Sequence, residues 1–118
     1  MSTITATDGT TPVTYEQISL TSSEGIYRDV SSTLSNPRTI RVSHDSASSN
    51  TGTDRHLVQF ARTDDDADGL PYTGGPHVVF AAPREGVTKA DFLIEWKMLK
   101  NLIDAKFDDI YGGFQPTD

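Results

Sequence analysis

The residues Phe92, Trp96, Leu99, Ile103, Phe107 and Ile110 recur at intervals of three and four, and this stripe constrains the fold more than anything else in the chain. Leu93 and Leu102 widen it into a broad apolar face. Thr88-Lys89-Ala90-Asp91 is a capping-box variant, with Thr88 as N-cap and an aspartate in place of the usual glutamate three residues later. Gly112-Gly113 supplies the stop. The spacing predicts a helical region over 88–111, either one helix or two with a break near Asp104. Upstream the period is two, not 3.6, so strands come first and helix last. That order predicts an α+β fold, an antiparallel five-stranded meander with an N-terminal hairpin and the helix over one of its faces.

Residues 1–11 are rich in Ser, Thr and Gly without evident period, which predicts a flexible arm. The sheet is expected within 12–83. Residues 13–20 and 25–31 would form the hairpin around a Thr21–Gly25 turn. Strand 37–43 shows the clearest alternation, with Ile40 and Val42 on one face and Thr39, Arg41 and Ser43 on the other. Residues 46–53 lack an apolar anchor and read as a hairpin loop. Strand 55–63 sets Val58 and Phe60 against Leu57, Gln59 and Ala61. A polar loop, 64–75, then leads to a last strand, 76–82, ended by Pro83.

A chain of 118 residues suits a single domain, here 1–118. At this size folding buries roughly 65% of the unfolded surface, so the core is thin. One helix of about 20 residues cannot cover a five-stranded sheet alone. The stripe also offers more apolar surface than one partner face requires. Both points predict an obligate dimer whose helices cross over a shared sheet, with Phe92, Trp96, Leu99, Ile103 and Phe107 at the interface.

The remaining composition narrows function mainly by exclusion. There is no cysteine, hence no disulfide, thiolate zinc site or thiol nucleophile. The first residues are polar, without the pattern of a signal peptide, and no apolar run reaches the ~20 residues of a membrane span. No G-x-S-x-G, H-E-x-x-H, P-loop or dinucleotide-binding glycine pattern occurs, so no enzyme, cofactor or small-molecule substrate is expected. The net charge of -7, from 10 Lys+Arg against 17 Asp+Glu, opposes nucleic-acid binding when taken whole. Its distribution is uneven, however. Arg38, Arg41, Arg55 and Arg62 with His44 and His56 face only Asp45 and Asp54 between residues 38 and 62.

Three features allow two readings each. Arg41 is either a phosphate-binding fork or an arginine that solubilises an exposed strand, and Arg38 and Arg62 follow the same logic. His77 would hydrogen-bond or stack on a base, or serve structure alone. Asp64, Asp66 and Asp68 stand like the start of an EF-hand loop, but the twelfth position is Gly75 and no helix precedes them. A solvated loop is the first reading there, and a cation held where several copies meet is the second. His44 and His56 lack a neighbour at metal-ligand spacing along the chain, so no zinc site is expected.

The segments NPRTIRVSHDS, DRHLVQFAR, HVVFAAPREG and TKADFLIEWKMLKNLIDAKF, in this order, resemble the coat proteins of single-stranded RNA bacteriophages (leviviruses) over roughly residues 13–114. The resemblance implies a dimer of edge-joined sheets with interlocked helices, many of which build an icosahedral shell around single-stranded RNA. It places the subunit in the virion, assembled in the bacterial cytoplasm. It sets loop 64–75 at contacts between dimers, and Thr39, Arg41, Ser43, Gln59 and His77 on the inner, RNA-binding face. Ile40, Val42, Val58, Phe60, Val78 and Phe80 would face the helices. Few lysines line the inner face, and Val79 stands where several relatives are polar. These departures favour general RNA packaging over repression of translation through one RNA hairpin. The alternative is a small dimeric α+β module binding a ligand or peptide without assembly.

Overall fold

A computed structural model describes residues 2–117. Seven strands form one antiparallel sheet: β1 (Thr3–Thr7), β2 (Pro12–Leu20), β3 (Glu24–Asp29), β4 (Arg38–Asp45), β5 (Thr53–Asp65), β6 (Pro71–Gly74) and β7 (His77–Pro83). Two helices follow, α1 (Lys89–Ala105) and α2 (Phe107–Tyr111). The α+β class and the strand-then-helix order are as expected, but the sheet is larger than five strands.

The first correction is at the N-terminus, where the expected flexible arm is a strand. Thr3, Thr5 and Thr7 alternate with Ile4 and Ala6, and β-branched threonine favours extended backbone as much as it favours water. β1 pairs with β2, Ile4 opposite Tyr15. The Asp8 carboxylate closes the turn by accepting from the Thr10 and Thr11 N–H groups at 2.8 Å each.

The second correction concerns 64–75, expected as a loop. β5 pairs with β7 along its first half and with β6 along its last residues, in one unbroken register. Residues 53–83 therefore form a single long hairpin, interrupted only near Gly75 and Pro76. Asp66 makes its tip, accepting from the N–H groups of Asp68 and Leu70 at 2.9 Å, and Gly69 adopts a φ of +79°. The interruption depends on glycine: a Cβ on Gly75 would collide with the Phe60 carbonyl. Gly75→Ala is expected to cost about 2 kcal/mol or more in a urea unfolding curve, because backbone, not a pliable side chain, stands in the way.

Cross-strand partners share a face, so the register separates the two sides of the sheet. Ile40, Val42, Val58, Phe60, Val78 and Phe80 lie on one side, as expected. α1 approaches that side through Phe92 and Trp96, whose rings stand edge-on to Phe80 at 5.8 and 5.1 Å. Thr88 caps the helix as expected, its hydroxyl accepting from the Asp91 N–H at 3.2 Å. The break falls at Lys106 (φ -120°), two residues beyond Asp104, so the region is two helices. The end is a Schellman motif: Gly113 at φ +83°, with Phe114 N–H donating to the Asp109 carbonyl at 2.8 Å.

The core is small. Among the described residues, Tyr15 and Ile40 are the only hydrophobic side chains fully buried. Among the described residues Asp29 is the one buried charge, with its side chain 3% exposed. Burial opposes its ionisation, but the Ser31 N–H and hydroxyl at 2.9 and 2.7 Å, together with the Arg38 and Arg28 charges, outweigh that and hold its pKa below the usual carboxylate value. Arg38 is 3.5 Å away, so the shorter Ser31 bonds carry more of the effect. A depressed carboxylate stabilises the fold above its unfolded pKa of about 3.9 and loses that contribution as pH falls through the folded value. Asp29→Asn is expected to cost about 2 kcal/mol at pH 7, a deficit that shrinks below about pH 4.

Beyond Trp96 the helical stripe leaves the sheet. Leu99 is 45% exposed, Ile103 36% and Phe107 54%. The radius of gyration is 17.0 Å. A self-contained chain of this length would have about 13.5 Å.

Candidate functional site

The face of the sheet away from α1 carries all five side chains singled out for RNA. Arg41, Gln59 and His77 form one row across β4, β5 and β7, continued on β3 by Ile26. Thr39 lies in the row of Arg28 and Ala61, and Ser43 in that of Glu24, Leu57 and Val79. Hairpins explain the gathering: each strand alternates faces, and an unshifted register adds the polar set of one strand to that of the next.

Two corrections follow from the same register. Arg38 and Arg62 are on the helix-facing side, paired with Asp29 and Asp64 at 3.5 and 2.7 Å, so neither joins Arg41. Arg55 does join it, in a row with Asp45 and Ala81. Glu24 was missed as well, although its carboxylate accepts from the Arg41 guanidinium at 2.7 Å. Nothing in the linear order signals that pair, since 17 residues separate the two. The face thus presents cationic and neutral donors over an apolar floor of Ile26, Leu57 and Val79. Its positive charge is offset by Glu24 and Asp45.

The second expected site, the helical stripe, divides in two. Phe92 and Trp96 rest against Phe80 of the same chain, while Leu99, Ile103 and Phe107 extend past it. On the sheet, an open cleft lies on the helix-facing side, lined by the apolar Ala6, Val13, Tyr15 and Phe60 and by the polar Thr7, Asp8, Thr11 and Arg38. The aspartates do other work: Asp64 pairs with Arg62, and Asp66 shapes the hairpin tip. Among the described residues no group of three or more His, Asp or Glu side chains is arranged to hold a metal ion. No helix among them is long and apolar enough to cross a membrane.

This architecture, a curled antiparallel sheet followed by C-terminal helices, is the levivirus coat-protein fold. It is shared with the virus-like particle of bacteriophage AVE019 at a TM-score of 0.72 and 14% identity, covering 99% of this chain and 98% of that one. The virus-like particle of Wenzhou levi-like virus 1 gives 0.62 and 22% identity over 94% and 96% of the two chains. The coat protein of bacteriophage EMS014 gives 0.66 and 16% over 87% and 72%. No protein-family model and no curated protein matches the sequence.

Proposed function

We propose that this chain is a non-enzymatic capsid subunit that dimerises, assembles into a closed icosahedral shell and packages single-stranded RNA. One observation carries the reading: a fold shared with particle-forming phage proteins leaves both an apolar helix and a sheet cleft uncovered within one subunit. The helix rests on its own sheet through Phe92 and Trp96 at Phe80, while the cleft beside Tyr15 and Phe60 stays open. A twofold mate satisfies both at once, each helix crossing into the other's cleft. The free edge of β7 then meets its own copy, making one continuous sheet and removing an unprotected strand edge. The 64–75 hairpin, projecting from β5, is suited to contacts between dimers.

The open face would line the shell. Arg41 and Arg55 take phosphate, Thr39, Ser43 and Gln59 donate to phosphate or sugar, and His77 meets a base. Glu24 already engages Arg41, so each subunit's attraction is modest and RNA retention depends on many copies acting together. That balance favours packaging of RNA in general over repression through one hairpin. The chain lies in the virion after assembly in the bacterial cytoplasm.

Expression of the chain alone, followed by size exclusion, electron microscopy and absorbance, tests this. Closed particles with a nucleic-acid-like 260/280 ratio are expected. A well-behaved dimer that never assembles and carries no RNA would instead indicate a small binding module.

A further inference from the structure

His44 and His56, twelve residues apart in sequence, are direct partners across β4 and β5. The His44 N–H donates to the Ser23 carbonyl on the β3 side at 2.8 Å, so His44 and His56 form the pair type that exchanges no backbone bonds. Side chains are closest in such pairs. Their Nδ1 atoms are 2.8 Å apart, and the rings cross at 67°. The linear spacing gave no reason to expect a metal here; the hairpin register supplies one.

We propose that His44 and His56 form a two-imidazole site for a borderline divalent transition ion, Cu2+ above all, with Zn2+ and Ni2+ as weaker occupants. Two nitrogens bound at about 2.0 Å and at right angles lie about 2.8 Å apart, the cis arrangement of a tetragonal ion, whereas a tetrahedral ion needs about 3.3 Å. The observed separation therefore matches a cis pair on Cu2+ once the rings turn their Nδ1 lone pairs toward the ion, and Zn2+ after a further small opening. At 2.8 Å one Nδ1–H donates to the other ring's lone pair. Binding requires that ring to move its proton to Nε2, which leaves both Nδ1 lone pairs for the ion and releases no net proton from the neutral pair. His44 is exposed, giving a hydrated ion access, while His56 borders a cavity lined by Phe80, Pro83, Lys89 and Phe92. Asp54 is no third ligand, since the Ala47 N–H and the Arg84 guanidinium occupy its carboxylate at 2.7 and 3.1 Å. Water would complete the coordination. The site rests on the β4–β5 register and the ring contact, both within one chain.

The test is a Cu2+ titration of the full chain by calorimetry, with electron paramagnetic resonance of the loaded protein. One ion per chain is expected, with a spectrum showing two equivalent-type nitrogen ligands. His44→Gln and His56→Gln should each weaken binding by about tenfold or more. His77→Gln, on the opposite face, should leave it unchanged. Affinity indifferent to His56→Gln, equal loss in His77→Gln, or a wild-type spectrum with fewer than two imidazole nitrogens would overturn the proposal. The spectrum comes from the unaltered protein, so it decides even if a variant fails to fold.

Discussion

A chain carrying Leu99→Glu and Ile103→Glu is expected neither to dimerise nor to form particles, and to lose its cooperative fold along with the interface. Both side chains lie beyond the part of α1 that touches its own sheet, at 45% and 36% exposure. If these positions faced only water, glutamate would be harmless there and would even aid solubility. In the proposed interface each carboxylate is buried against Val13, Tyr15 and Phe60, where the Arg38 guanidinium is already engaged by Asp29, at about 3 kcal/mol apiece, and the lost burial adds about 2 kcal/mol per site. Together these exceed what a shell contact can absorb. Sedimentation should show the loss directly, and unchanged particles would exclude this stripe from assembly.

Replacing Arg41 and Arg55 with glutamate should leave shells intact but depleted of RNA. The two arginines are the cations that the register puts on the open face between β4 and β5, and neither touches the helical interface. Each phosphate contact contributes about 0.7 to the salt dependence of single-strand binding. Reversing two per subunit, repeated over a shell, should lower RNA per particle about threefold or more at physiological salt. The 260/280 ratio of purified particles measures it. Full shells with unaltered RNA would place the RNA contact elsewhere.

The helix was legible because its signals agree: a 3.6-residue apolar period, a threonine cap and paired glycines at the end. The alternation at Ile40 to Ser43 was equally plain, since one buried face leaves a strong period of two. β1 was hidden by its threonines, which composition assigns to solvent although their branching favours a strand. β6 was hidden by its neighbours, because an Asp, Gly and Pro run looks like a loop until the overlong β5 offers it a partner. The faces of Arg38 and Arg62 were already in the alternation, which sets them with Ile40 and Phe60. The Arg41–Glu24 pair and the His44–His56 contact are products of register across strands. Linear spacing does not carry that information; hairpin pairing does.

The mass of the isolated chain at low micromolar concentration, measured by analytical ultracentrifugation in RNA-free buffer, bears most directly on whether one copy can complete its own fold. Dimers or larger closed species, with no folded single chain at any dilution, are the predicted result. A stable, cooperatively unfolding monomer whose α1 stays protected from hydrogen exchange would contradict it.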